Sequence, residues 1–436
     1  MSTLAEEARE ILAETLRQVN VHAVVRRHLS IDDGVLTMGG ASVGLLELDE
    51  IVIIAVGKAA LPMCESACEA LGGCGLGLRG VVVTNENRPA GLPGMVVLPG
   101  HHPLPDAVSL QAAQAVLALL RSVRGKTAVL FLISGGASAM LEAPLDPAIS
   151  LEDTAAFYQA LIGSGLPISQ MNALRKHFSA VKGGRLAEAA APAGVQCSLL
   201  ISDVPVNMPD VIGSGPSLPD PGTLADCREL LARVELPESV AKFFNGPLCV
   251  ETLKPEDSCF ERSSWHVILS SEHLAEAAMH AARSRGFHVE VDNTCDEWEY
   301  RDAARYLLER GEALARRHVR CCLVSVGEVG VTLTADAGVG GRNQQFALWC
   351  ATEMARLGLA ATVLSAGSDG IDGNSQAAGA VCDETTSAKA LRMGLDPQEA
   401  LERFDSAPLL KAVGAAVMTG PTGNNLRDLR LMLFEE

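Results

Sequence analysis

The chain is predicted to be an α/β protein of two domains, each a layered α/β/α sandwich on a largely parallel sheet. Three observations carry this expectation. Aliphatic runs of strand length alternate with Ala- and Leu-rich stretches of helical spacing along most of the 436 residues, the pattern of a sheet covered by helices. Aromatic residues make up 4% of a chain that is 48% hydrophobic, so its cores are aliphatic, and strands buried on both faces read as continuous Val, Ile and Leu runs. The length also exceeds what one hydrophobic core usually organises.

In chain order, Leu, Ile and Val alternate with Glu and Arg at helical spacing to about His28, which predicts one amphipathic helix. Strands are expected near 51–56, 81–84, 129–133 and 198–202, with helices near 59–72, 106–123, 150–162 and 171–190 between them. Pro237, Pro247 and Pro255 amid mixed charge mark a break over 235–263, which places the domains at 1–250 and 260–436. Beyond it, a strand at 266–270, a helix at 272–285 and a strand at 287–291 read as a βα unit. Strands near 322–326, 331–334 and 362–366 and a helix at 346–357 continue it.

The formal charge of −18 argues against nucleic acid or anionic membrane as partners, because both need clustered Lys and Arg. Anionic small substrates stay open, held by local cations. The twelve cysteines, with no leader pattern and no run able to span a bilayer, are expected to be free thiols of a cytoplasmic protein. Cys64, Cys68 and Cys74 have no partners at zinc spacing.

The chemistry concentrates in loops that follow strands. Ser134-Gly135-Gly136-Ala137-Ser138 comes straight after an aliphatic run. Two glycines bring backbone N–H groups close to an anion and the serines add hydroxyls, so the loop suits phosphate, although a plain strand-to-helix turn reads the same way. Similar loops follow the runs at 51–56, 198–202, 321–326 and 361–366. In an open parallel sheet five such loops can line one cleft.

Lys58 follows Gly57 at the head of a helix, where the dipole disfavours a cation, so an anion-binding role competes with simple solvation. The stretch 172–185 holds Arg175, Lys176, His177, Lys182 and Arg185. On one helix Arg175, Phe178 and Lys182 would share a face. His101 and His102 stand in a Pro-rich loop, with Asp106 placed to cap the next helix. Asp203 and Asp369 end strands and suit Mg²⁺, which binds through one or two carboxylates and substrate phosphates. Asp372, close by, reads as turn chemistry. Gly340-Gly341 let the chain turn ahead of Arg342, whose fork of donors can clamp an anion, and Asn343 reads as compatible with a capping role. The glycine-hydroxyl loop TGPTGNN at 419–425 either touches a ligand or turns.

In order along the chain, VGKAA, HHPLPD, LISGGASAM, NALRKHFSAVKGGRLA, LLISDVP with SGPSLPD, GGRNQQFAL, SDGIDG with AAGA, and TGPTGNNL resemble the class II glycerate kinases, the MOFRL family of glycerate 2-kinases. The resemblance covers nearly the whole chain. It implies transfer of the γ-phosphoryl group of ATP, with Mg²⁺, to D-glycerate, giving 2-phosphoglycerate, in two α/β domains with the active site between them. Its catalytic lysine and arginine fall on Lys58 and Arg342, and its phosphate loop on Gly135, Gly136 and Ser138, with Gly57 beside it. Arg175 or Lys182 is then expected to hold the glycerate carboxylate, with His102 and Asp203 as candidate bases. The chain departs from the family pattern at Val206-Asn207, at Asn374-Ser375-Gln376, where acidic residues are usual, and at Asn424. Two other functions stay in view: a hydroxypyruvate reductase, a label some relatives carry, and a non-catalytic or altered-substrate relative that binds a sugar acid or nucleotide. No GxGxxG opens a helix after the first strand, which counts against the reductase. Oligomeric state is left open, a homodimer included.

Overall fold

The computed structural model describes residues 3–86, 91–204, 208–333 and 336–435, so Val206 and Asn207 lie outside the described residues. The chain is mixed α/β and divides into two compact units, one of residues 21–268 and the other of residues 1–20 with 269–436.

The first unit is built on a six-stranded sheet, in the order Met95–Pro99, Gly77–Thr84, Glu50–Val56, Thr127–Ile133, Val195–Ile201, Ser263–Leu269. The first five pair in parallel. Val52, Ile54 and Val56 pack with Val129 and Phe131 against Ala112, Val116 and Leu120 of helix Ala107–Leu120. Ile51, Ile53 and Ala55, which point the other way, are equally buried. Both faces are therefore covered, which is why these strands are aliphatic without alternation. Asp106 caps helix Ala107–Leu120 as expected, accepting from the N–H groups of Val108 and Ser109 at 2.9 and 3.0 Å.

Several expected elements of this unit are corrected. The helix expected at 171–190 is two, Ile168–Phe178 and Arg185–Ala189. Between them the chain runs beside residues 143–145, with Ala180 N–H donating to Ala143 O at 2.7 Å and Leu145 N–H to Phe178 O at 2.9 Å. Gly183 and Gly184 then turn at φ +55° and +85°, which only glycine adopts freely. The break at 235–263 is no linker: helix Glu238–Asn245 inserts Phe243 and Phe244 among Phe157, Tyr158 and Phe178. The strand expected to open the second unit, Ser263–Leu269, instead edges the first sheet. An antiparallel meander, Leu29–Asp32, Val35–Met38 and Ala41–Gly44, was not anticipated.

The second unit carries a six-stranded sheet in the order His288–Val291, Arg320–Gly327, Asp428–Glu435, Thr362–Gly367, Gly379–Asp383, Ala416–Val417. Only its first pair is parallel; all others are antiparallel, which corrects the expectation of a largely parallel sheet here. The cause is strand Asp428–Glu435, which runs between Arg320–Gly327 and Thr362–Gly367 against both. Residues 331–333 form no strand. The helix expected to reach His28 is split into Leu4–Gln18 and Val21–Arg27. Leu4–Gln18 belongs to the second unit, packing on helix Ser271–Arg283 and strand Thr362–Gly367. Arg9 donates to Ala416 O and Gly414 O at 2.9 and 3.1 Å, and Arg320 bridges Glu7 and Glu435. Among the described residues no helix is long and apolar enough to cross a membrane.

Candidate functional site

Three neighbouring parallel strands of the first unit, Glu50–Val56, Thr127–Ile133 and Val195–Ile201, end on one edge, and their loops touch. Gly57 has φ +123°, and a Cβ there would lie 2.3 Å from Ser134 Oγ. A Cβ on Gly135 would lie 1.9 Å from Asp203 Oδ2, so glycine is what lets the second and third loops meet. Lys58 N–H donates to Gly135 O at 2.9 Å and Ala59 N–H to Ser134 Oγ at 3.0 Å, which ties the first loop to the second. The edge borders a cavity of about 370 Å³ lined by Gly135, Gly136, Ser138, His102, Arg175 and Asp203.

Several donors around this cavity have no acceptor among the described residues. Among the described residues the backbone N–H groups of Gly135, Gly136 and Ser138 have no acceptor, a configuration that buried backbone avoids unless a ligand or water completes it. The Lys58 ammonium has no carboxylate within ion-pair distance among the described residues, and its Cγ lies 3.4 Å from where a Cβ of Gly136 would be. Arg175 is only 8% exposed. Its guanidinium donates from Nη1 to Asn172 Oδ1 at 3.2 Å, stands 4.9 Å over the Tyr158 ring, and leaves Nε without an acceptor. A buried guanidinium without a carboxylate is costly, and an incoming anion removes that cost. Burial first, then the positive charges of Lys58 and Arg175, hold the His102 imidazole below its usual pKa, so at neutral pH it is an uncharged acceptor and donor.

Of the basic cluster at 172–185, the structure brings Arg175 alone to the cavity. Lys182 is turned away from the site expected for it. Its Nζ donates to Glu142 Oε2 at 2.9 Å and Leu141 O at 2.7 Å inside the core, because the chain leaves the helix before reaching it. Lys176 is held by Asp210 and Asp220 at 2.6 and 2.9 Å, and His177 by Glu251 at 3.0 Å. Arg185 reaches Glu251 O at 3.4 Å. Tyr158, absent from the sequence reading, donates its one hydroxyl proton to Glu142 and keeps its hydroxyl oxygen 3.2 Å from Ser138 O, so it packs directly against the glycine loop. Nothing in its spacing separates it from a core aromatic.

The second unit has its own loop edge, where Gly327 and Gly367 flank Asp428. Arg342 opens helix Arg342–Leu357 beside a cavity of about 780 Å³. It is not free: Nε and Nη2 grip Asp428 at 2.6 and 3.2 Å, and Nη1 reaches Glu328 at 2.9 Å. These carboxylates raise its pKa against burial. Burial in turn holds the Glu328 carboxyl above its usual pKa. Asp372 caps the helix from a distant loop, accepting from the N–H groups of Asn343 and Gln344 at 3.0 and 2.8 Å. Its turn reading thus gives way to a capping role, while Asn343 donates from Nδ2 to Asp372 and accepts from Ser365. Asp369 uses Oδ1 to accept from Ile371 N–H at 3.0 Å, and its carbonyl accepts from Thr422 N–H at 3.0 Å, so the TGPTGNN loop packs on this turn. Asn374, at a departure from the family pattern, holds the turn before Arg342 by accepting from Gly340 N–H at 2.8 Å and donating to Gly338 O at 3.1 Å. Among the described residues no three His, Cys, Asp or Glu side chains cluster as metal ligands.

Two family models match the chain: a domain of unknown function, DUF4147, over residues 7–245, and the MOFRL family over residues 321–428. The chain is similar to the D-glycerate 2-kinase of Thermotoga maritima, 36% identical over 89% of this chain and 92% of that one. It is 32% identical to the glycerate 2-kinase of Pyrococcus horikoshii over 98% and 97% of the two chains. The fold matches the crystal structure of glycerate kinase from Thermotoga maritima with a TM-score of 0.85, at 33% identity over 99% of each chain. With both family models matched in order and such identity over nearly the whole of each chain, the protein belongs to the glycerate 2-kinase family.

Proposed function

We propose that the chain is a D-glycerate 2-kinase, transferring the γ-phosphoryl group of ATP to the 2-hydroxyl of D-glycerate. The observation that carries the reading onto these residues is the set of unspent donors at the first unit's loop edge: three N–H groups, the Lys58 ammonium and the buried Arg175 guanidinium. Phosphoryl transfer gains most from positioning and from cations around the transferring oxygens. The N–H groups of Gly135, Gly136 and Ser138 take phosphate oxygens, Lys58 neutralises the charge that moves with the phosphoryl group, and Arg175 takes the carboxylate of glycerate. His102, kept uncharged, accepts the proton of the attacking hydroxyl.

A single carboxylate beside a phosphate loop fits Mg²⁺, which keeps most of its waters and binds mainly through nucleotide phosphates. Asp203 is that carboxylate, whereas Asp369 holds its own turn. When bound, the ion supplies charge that offsets the phosphate oxygens. Arg342 acts on a phosphoryl group only if an incoming phosphate displaces Glu328 or Asp428 from its fork, which makes its contribution depend on ligand.

The test is ADP release from Mg-ATP with D-glycerate, L-glycerate, tartronate and hydroxypyruvate, with the product located by phosphorus NMR. Turnover with D-glycerate and phosphate on the 2-hydroxyl is expected. Oxidation of NADH by hydroxypyruvate, with no ADP formed, would make the chain a reductase. Thermal stabilisation by glycerate or ATP without turnover would make it a binding protein.

A further inference from the structure

Ser214 is fully buried in the loop after strand Val195–Ile201, and none of the roles above uses it. Its backbone lies in the left-handed region at φ +62°, between Gly213 at +59° and Gly215 at +60°. Glycine would adopt that conformation without strain, so the serine side chain is retained against a backbone cost. Its hydroxyl donates to Asn172 Oδ1 at 3.1 Å and lies 2.8 Å from Ser138 Oγ. A hydroxyl has one proton, so Ser138 is the donor in the second bond. Asn172 Oδ1 also accepts from Arg175 Nη1 at 3.2 Å, and Asn172 Nδ2 donates to Val211 O at 3.3 Å, which fixes the amide's orientation. One chain of bonds thus runs from the glycine loop, Ser138 to Ser214 to Asn172, and meets Arg175 there.

We propose that Ser214 is a positioning residue that holds the phosphate-binding N–H groups of the Ser134–Ser138 loop in register with the arginine that takes the substrate's carboxylate. The proposal rests on the kinase reading for the identity of the two ligand groups. It accounts for a strained serine between two glycines, and for Ser138 offering a phosphate its N–H while its proton is spent inward.

Ser214→Gly tests it, because glycine suits this φ and the variant is expected to fold with an unchanged or higher Tm. With D-glycerate and Mg-ATP, kcat/KM is expected to fall roughly 10- to 100-fold, mostly through a raised KM for glycerate, as a misplaced substrate group does. Ser138→Ala is expected to fall similarly, and the double variant no further than the worse single one, since both break the same chain. Wild-type kinetics in Ser214→Gly, or losses that simply add, would overturn the proposal. Hydrogen exchange of the unliganded full chain gives a readout independent of activity. Faster exchange in both 134–138 and 172–175 is expected, and a change confined to 212–216 would overturn the proposal. If the wild-type chain forms ADP with no acceptor, the kinase reading falls and the exchange pattern alone decides on Ser214.

Discussion

Arg175 and Lys182 carry the same charge a short distance apart in sequence, and both are buried, yet among the described residues one lines a cavity with no carboxylate in ion-pair contact and the other is locked to Glu142. Their substitutions are expected to separate accordingly. Lys182→Ala strands Glu142 in the core and is expected to cost about 3 to 5 kcal/mol of stability by chemical denaturation. Among the described residues the Lys58 side chain makes no ion pair or hydrogen bond, so the Tm of Lys58→Ala is expected to stay close to wild type while turnover falls roughly 10³-fold in the ADP-release assay. Normal turnover in that variant would remove Lys58 from the chemistry. Asp372 makes a pH-dependent contribution. Burial outweighs the N–H groups it accepts from and holds its carboxyl at about 7, against a usual value of 3.8. The folded chain therefore keeps a proton that the unfolded chain releases. Stability is fully present below about pH 4 and declines as pH rises towards 7, with a slope of up to about 1.4 kcal/mol per pH unit. Asp372→Asn is expected to remove that slope, measured by denaturant unfolding across pH 4 to 7. Sequence cannot sort such groups, because a lysine beside Gly-Gly reads alike whether it meets a ligand or a buried glutamate.

Strands and the loops after them were the most legible elements. Glu50–Val56, Thr127–Ile133 and Val195–Ile201 are covered on both faces, so their aliphatic runs stand out, and their glycines mark where backbones meet. Gly135→Ala tests that meeting: its methyl group would collide with Asp203. The loops are expected to part, with activity lost in the ADP-release assay while the sheet holds and circular dichroism is unchanged. Strand Asp428–Glu435 is not legible because Arg430 interrupts its apolar run, although this arginine is wholly buried and donates to Gly327 O at 3.1 Å. The meander at 29–44 was missed for the opposite reason, being short, half-exposed and turned by Gly34 and Gly39. The helix over 171–190 was overextended because Leu174, Phe178 and Val181 keep helical spacing across a real break; only the Gly183-Gly184 pair signalled it.

At the scale of the molecule, the sequence places a domain boundary near 250–260, and the compact units of the structure divide at 268/269, with residues 1–20 joined to the second. No local pattern reveals this, since an amphipathic helix shows that it has a partner and not which one. Removing residues 1–20 would take away Ala8, Ile11 and Leu12, all buried, would uncover the surface they pack on at helix Ser271–Arg283, and would leave Arg320 without Glu7. In the truncated chain, hydrogen exchange is expected to rise across 269–436 and to stay near wild type in 21–268; uniform exchange throughout would contradict the division. The same arrangement sets an order of events on the ribosome. Helix Leu4–Gln18 is synthesised before the whole of 21–268, and at typical translation rates the docking surface it needs, helix Ser271–Arg283 and strand Thr362–Gly367, is complete only roughly 20 to 70 s later. During that interval the native partners of its apolar stripe do not yet exist, so the nascent chain carries Ala8, Ile11 and Leu12 uncovered.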